Sequence, residues 1–363
     1  MTVQRRAMLT GAFAAGVVGS SAIRAGATPA RPMIIDGNLV PPIDPDAPLD
    51  AATADAVRSS GLTALKASIG GADSDFAHTT KAIDDFDKAI ALNPTLFMQV
   101  KTAGDFAQAQ ETSRIGLIYS FEGVEMFRVD VDRIDHFHAR GVKVMQLSYN
   151  KPSPFASGVL SPQPSAGLTP LGRAAIARMN TIGVTLDLSH ADEASTLAAI
   201  AAARRAPLIT HAGCAAVYAH PRNKSDAVLR AIADKGGVVG IYDLAFLTAP
   251  PAQPAIADYL AHMVHALDVC GEDHVGVGSD AFLMPFDTSA ANMADWAGQI
   301  AYRKAHGVSA PEEGRPPFVV GLNRPDRYQV IAAALAGRGY KRATIDKVLG
   351  LNFRRVFAET WAV

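Results

Sequence analysis

GVTLDLSHADEASTLAAIAAARRAPLITHA, residues 183–212, decides the fold. A short apolar run (183–190) ends in Ser189-His190. A helical pattern, EASTLAAIAAARR (193–205), follows, and a second short run (207–212) carries Thr210-His211. Both runs are near-continuously apolar rather than alternating, as in a parallel sheet buried on both faces.

The same unit repeats along the chain. Apolar runs of strand length also lie at 33–36, 62–69, 115–122, 142–149, 237–242 and 274–280. Helical patterns lie at 81–92, 131–141, 171–183, 226–237 and 255–268, with Gly141, Gly183 and Gly236 at helix ends, where a left-handed cap is favoured. Eight strand–helix repeats predict a (β/α)8 TIM barrel. A doubly wound sheet would carry fewer strands and a glycine-rich phosphate loop, and no GxGxxG or Walker motif is present. Residues 31–363 are therefore read as one barrel domain. The Pro- and Gly-rich segment 281–325 is read as a long insertion after strand eight, 151–168 as a loop over the barrel mouth, and 327–361 as two C-terminal helices.

Composition narrows the partners. The chain is 49% hydrophobic and 19% charged, with a formal net charge of −1, so no basic excess points to nucleic acid or an anionic membrane. Cys214 and Cys270 form no CxxC and are read as free buried thiols. Gln4-Arg5-Arg6, an uncharged stretch up to Arg24, and Ala25-Gly26-Ala27 read as a twin-arginine signal peptide over residues 1–30. The expected location is periplasmic or secreted, with no stable membrane insertion after cleavage.

Barrel enzymes work at the C-terminal ends of their strands. Those ends carry Glu122-Gly123, Tyr149-Asn150, Ser189-His190, Thr210-His211, Tyr242-Asp243 and Ser279-Asp280. Two neutral imidazoles and a carboxylate suit a catalytic Zn²⁺ with one open position. A metal-activated water is the nucleophile such a site supplies, and Asp280 can orient it and pass its proton on. His136, His138, His220, His262 and His265 are read as surface or structural residues.

These residues resemble the membrane dipeptidase (renal dipeptidase) family of zinc peptidases, from about 33 to 360. The resemblance rests on GLTPLGRAAIARMNTIGVTLDLSH (167–190), THAGCAAVYAHPRN (210–223), VGVGSD (275–280) and GYKRATIDKVLGLNFRRVF (339–357). It implies a metallo-dependent hydrolase barrel with two metals, a small peptide substrate and a homodimer. It further implies that Glu122 bridges both metals, that His190 and His211 complete the second site, and that Asp280 faces the first site and transfers protons. Arg222 would hold the substrate carboxylate, with Tyr149 and Asn150 at the substrate.

The first strand departs from that family's pattern. Asp-Gly-His-x-Asp is expected there, and Asn38 and Val40 stand at the two ligand positions. Valine cannot bind a metal, and asparagine is a weak neutral donor that suits hard cations better than Zn²⁺. After strand eight, Ala281-Phe282-Leu283 replaces the family's Phe-Asp-Gly. Two readings stay open. One is a hydrolase of dipeptides, or of related N-acyl amino acids, with one zinc ion rather than two. The other is an inactive dipeptidase-like barrel that binds or helps mature a periplasmic peptide-like ligand.

Overall fold

Each apolar run forms a strand where the sequence places one. The computed structural model describes residues 31–70 and 74–362, so the signal-peptide reading lies outside the described residues. The barrel strands are β1 (Ile35–Asp36), β2 (Ala64–Gly70), β3 (Ile115–Phe121), β4 (Val142–Gln146), β5 (Thr185–Asp187), β6 (Leu208–Ala212), β7 (Val238–Ile241) and β8 (Val275–Val277). Neighbours pair in parallel from β1 through β8, and β8 pairs with β1, which closes the barrel. A short strand the sequence reading lacked, Phe97–Gln99, pairs with the start of β3.

Burial follows the expected pattern. Every residue of β3, β4 and β6 is buried, because helices cover the outside and side chains fill the inside. The floor of the barrel is a cluster of Ile35, Ala64, Ile118, Val144, Leu208 and Val238 closed by Phe353, Val356 and Phe357 of the last helix, Asn352–Trp361. Phe353 packs so closely that a Cβ on Gly37 or Gly276 would fall 2.6 or 2.5 Å from its ring. Gly37 therefore lets β1 run over that ring and turn directly into Asn38.

Beyond β1 and β8 the two chains stay together. Leu39–Val40 pairs in parallel with Ala281–Phe282, and the Asp280 amide donates to the Asn38 carbonyl at 2.7 Å. Asp280 takes φ +51°, a left-handed conformation that aspartate tolerates better than most residues. Asp36 locks this corner. Its carboxylate accepts from the Asn38 and Ser279 amides, the Ser279 hydroxyl and the Tyr328 hydroxyl.

The insertion after β8 is more ordered than its composition suggested. It contains a helix, Ala290–Ala305, which turns Met293, Trp296, Ile300 and Arg303 inward, with Ile300 alone fully buried. The C-terminal region holds three helices rather than two: Arg327–Gly337, Arg342–Asp346 and Asn352–Trp361, the last two joined by a π-helical turn. Pro32–Val363 forms one compact unit. Both cysteines are buried and free. Among the described residues, no helix is long and apolar enough to cross a membrane.

Candidate metal centre

The two strand-end histidines face each other. His190 Nε2 and His211 Nε2 lie 3.0 Å apart, and both rings are buried. Their other nitrogens fix the tautomers. His190 Nδ1 lies 2.8 Å from Asn150 Oδ1, and the Asn150 amide nitrogen donates to the Val308 carbonyl at 2.8 Å, so the oxygen faces the ring and Nδ1 carries the proton. His211 Nδ1 lies 2.9 Å from Thr210 Oγ1. The Thr210 hydroxyl donates to Asp187 at 2.6 Å, so its oxygen accepts from His211 Nδ1. Both Nε2 atoms therefore present lone pairs to one point, an arrangement a cation relieves. Burial first, and the Arg222 guanidinium next, push both imidazoles well below the ordinary histidine range, so both are neutral.

Glu122 supplies the carboxylate. Its Oε1 accepts from Ser68 Oγ and Asn38 Nδ2, each at 2.7 Å, while Oε2 lies 3.8 Å from His190 Nε2. Glu122, His190 and His211 each offer a ligand atom within 4.8 Å of the others. A tetrahedral zinc ion with bonds of ~2.0–2.1 Å separates its donors by about 3.3 Å, so small adjustments would seat it. The two-histidine, one-carboxylate donor set fits Zn²⁺. Asp280, which sequence reasoning placed among the ligands, lies slightly apart from this group. Its Oδ1 accepts from Asn38 Nδ2 at 2.7 Å, and its Oδ2 is 3.9 Å from His211 Nε2. Burial and the neighbouring Glu122 push its carboxyl upward, against the pull of Arg222 and Lys66.

Asn38 thus stands between the two carboxylates. Lys66, a residue sequence reasoning passed over, holds its other end. Lys66 is fully buried, and its ammonium donates to Asn38 Oδ1 at 2.8 Å, Ser120 Oγ at 3.2 Å and Ser68 Oγ at 3.4 Å. Asp187 Oδ2 lies 3.9 Å away. An ammonium only donates and an ionised carboxylate only accepts, so these neighbours fix which end of the amide is oxygen.

Arg222 is 1% exposed. Its Nη1 donates to the Ser189 carbonyl at 3.2 Å; its Nη2 has no hydrogen-bond partner among the described residues and lies 3.9 Å from Asp280 Oδ2. A buried guanidinium nitrogen without an acceptor is costly unless a ligand supplies one. Behind it, His220 is structural: its Nε2 bonds the Pro311 carbonyl and its ring stacks on Phe246 at 4.3 Å.

Tyr149 stacks on His190 at 4.1 Å and accepts from Arg303 Nη2 at 2.9 Å. Its hydroxyl proton stays on, because burial pushes it upward. Asn150 is buried and spends its amide on His190 and Val308. Beside Asp280 opens a cavity of about 270 Å³, walled by Val40, Tyr149, Phe282, Trp296 and Arg303. The inserted helix thus forms part of the wall. Lys66 and Asp187 left one signal in the sequence: each is a charge inside a run otherwise buried on both faces, where charges sit only if paired.

A closed (β/α)8 barrel with two imidazoles and a carboxylate at its strand ends has the architecture of the metal-dependent hydrolases. Comparison makes this specific. The profile of the membrane dipeptidase family (peptidase family M19) matches residues 59–304, and the chain belongs to that family. The matched span contains Glu122, His190, His211, Arg222 and Asp280 and begins after Asn38 and Val40.

Among curated relatives, a Klebsiella pneumoniae protein described as uncharacterized in the pqqA 5′ region is 29% identical over 269 residues, covering 72% of this chain and 88% of its own. Dipeptidase tcpJ of Claviceps purpurea is 25% identical over 283 residues, covering 77% of this chain but 59% of its own length. Among solved structures, an amidohydrolase from Pseudomonas aeruginosa superposes with a TM-score of 0.80 at 26% identity, over 92% of this chain and 98% of that one. A metallo peptidase from Rhodobacter sphaeroides, liganded with a phosphinate mimic of L-Ala-D-Ala, has a TM-score of 0.73 at 20% identity, over 91% and 100% of the two chains, and shares the fold.

Proposed function

We propose that this protein is a metal-dependent hydrolase of dipeptides or closely related N-acyl amino acids, working with one zinc ion. The observation that carries the reading is the pair of Nε2 lone pairs 3.0 Å apart, each ring's other nitrogen already committed. A decayed site has no reason to hold two such tautomers against each other beside Glu122. The unpartnered Arg222 Nη2 also favours a working site over an inactive barrel. Relatives named dipeptidases support the substrate class.

Glu122, His190 and His211 would hold the zinc ion, which would supply Lewis-acid chemistry and activation of a water for attack on the scissile carbonyl. The chain's own residues do the rest. Asp280 takes the proton of the attacking water and delivers it to the departing amine nitrogen. Arg222 receives the substrate's terminal carboxylate through its free Nη2, anchoring the scissile bond above the centre. Tyr149, whose oxygen already accepts from Arg303, retains its O–H to donate to the oxygen that gains charge. Thr210 and Asn150 hold the imidazole tautomers throughout.

The test is hydrolysis of a panel of L-Xaa–L-Xaa and L-Xaa–D-Xaa dipeptides by chelated protein, before and after zinc is returned. Zinc-restored turnover is expected. Silence across the panel from folded, zinc-loaded protein would favour the peptide-binding alternative. We also propose twin-arginine export. The supporting feature is Gln4-Arg5-Arg6 and its uncharged sequel, and the check is whether replacing both arginines with lysine keeps the protein out of the periplasmic fraction.

A further inference from the structure

We infer that the Lys66 ammonium takes the place of a second metal ion and confines this barrel to one, its charge being relayed to the two carboxylates in the native protein by the Asn38 amide. The inference rests on the one-metal hydrolase reading and says how the second position is filled.

The geometry carries it. Glu122 and Asp280 must be bridged by something positive, or two half-buried carboxylates repel. Here the bridge is Asn38 Nδ2, 2.7 Å from each. An amide nitrogen carries only partial positive charge. Full charge stands one bond further back, where Lys66 Nζ donates to Asn38 Oδ1 and polarises the amide toward both carboxylates. All three ammonium protons end on oxygens: Asn38 Oδ1, Ser120 Oγ and Ser68 Oγ. Ser68 in turn donates to Glu122 Oε1, closing the ring.

Charge balance explains the exclusion. With the three carboxyls Glu122, Asp280 and Asp187 counted as ionised and set against Lys66 and Arg222, the centre carries −3 + 2 = −1, and Lys224, whose charge also reaches both imidazoles, is the same in every state compared. One divalent ion makes this +1 and a second makes it +3, in a largely buried setting where uncompensated charge is costly. Restoring the two missing ligands, by Asn38→His with Val40→Asp, adds one negative charge, and two metals still leave −2 + 4 = +2. Removing the lysine as well gives −3 + 4 = +1, the balance of the native one-metal centre. Ligands alone are therefore insufficient; the lysine must also go.

The experiment is metal content by mass spectrometry, after zinc saturation and dialysis, for three proteins: native, N38H/V40D and N38H/V40D/K66Q. Glutamine keeps a donor toward the serines while removing the charge. The expected contents are one, one and two ions per chain. Two ions in the native protein, two in N38H/V40D, or one in the folded triple variant would each overturn the inference. If the triple variant does not fold, cobalt titration of the native protein decides. Absorption bands that saturate at one equivalent support the inference, and a second set of bands at higher cobalt overturns it. No readout uses turnover. A one-metal protein that hydrolyses nothing refutes the hydrolase reading alone, while a native protein that retains no metal refutes both.

Discussion

Thr210→Val tests whether the buried hydrogen-bond chain behind His211 sets metal affinity. In the native protein His211 Nδ1–H donates to Thr210 Oγ1 at 2.9 Å, and Thr210 donates to Asp187 at 2.6 Å. Valine keeps the shape and removes the relay. Without metal the imidazole has an escape: its proton moves to Nε2, where it donates to His190 Nε2 at 3.0 Å. The metal-free fold therefore loses about 1 kcal/mol, the net value of the threonine bond to Asp187. Metal binding closes that escape, because Nε2 must offer its lone pair and the proton must return to an Nδ1 facing a methyl group. An unsatisfied buried donor costs about 1–3 kcal/mol, which falls entirely on the metal-bound state. The zinc Kd should rise roughly 5- to 150-fold, in line with the ~10–100-fold typical of lost outer-shell partners. The assay is competition against a chromophoric chelator, with thermal melts of the metal-free protein beside it. Thr210→Ser should restore affinity. A Kd for Thr210→Val within a factor of two or so of native (~0.4 kcal/mol) would refute the tautomer argument and with it the assignment of His211 as a relayed ligand.

Other outcomes follow from neighbouring contacts. Arg222→Met should raise KM for dipeptides by roughly 10- to 150-fold, the value of a charge-assisted bond of ~1.5–3 kcal/mol, while zinc content stays native; an unchanged KM would remove Arg222 from the substrate. Asn150→Leu should weaken zinc binding without placing the effect in KM, since Asn150 touches His190 rather than the opening; a pure KM effect would restore its reading as a substrate contact. Arg327→Met should be strongly pH-dependent. Burial pushes Asp243 up to about 7 against the pull of Arg327, which donates to it at 3.0 Å. Removing the arginine raises the folded pKa of Asp243 above its native value of about 7, so the extra destabilisation in the variant grows as pH rises from about 7 toward the variant's higher pKa. Urea unfolding should show a loss of ~3–5 kcal/mol near pH 8 and a smaller one near pH 5; equal losses would mean the pair is not what Arg327 contributes.

The fold was legible because eight strands buried on both faces leave eight apolar runs, and the chemistry collects where those runs end. His190, His211 and Glu122 came together for that reason. What escaped was the inside of the barrel. LTALKASI (62–69) reads as a strand, but nothing in it says that Lys66 faces inward with Ala64 and Ser68 while Leu65 and Ala67 face the helices. The partner that makes the lysine intelligible, Asn38, lies 28 residues away. Asn38 itself looked like a lost ligand, because a ligand pattern records what a position once held rather than what fills the space now. The helix Ala290–Ala305 escaped because its inward stripe, Met293, Trp296, Ile300 and Arg303, mixes apolar with charged side chains and only Ile300 is fully buried. Asn150 was read with Tyr149 because it follows it in sequence, and nothing in that adjacency shows that its amide bonds His190 and Val308.

A working centre built on one metal is what sets the proposed hydrolase apart. Its most direct test is dipeptide turnover measured while metal-free protein is titrated with zinc. Activity should rise linearly and level off at one zinc per chain, with no further gain from excess metal. Activity that appears only as a second equivalent binds, or a fully loaded protein that turns nothing over, would contradict it.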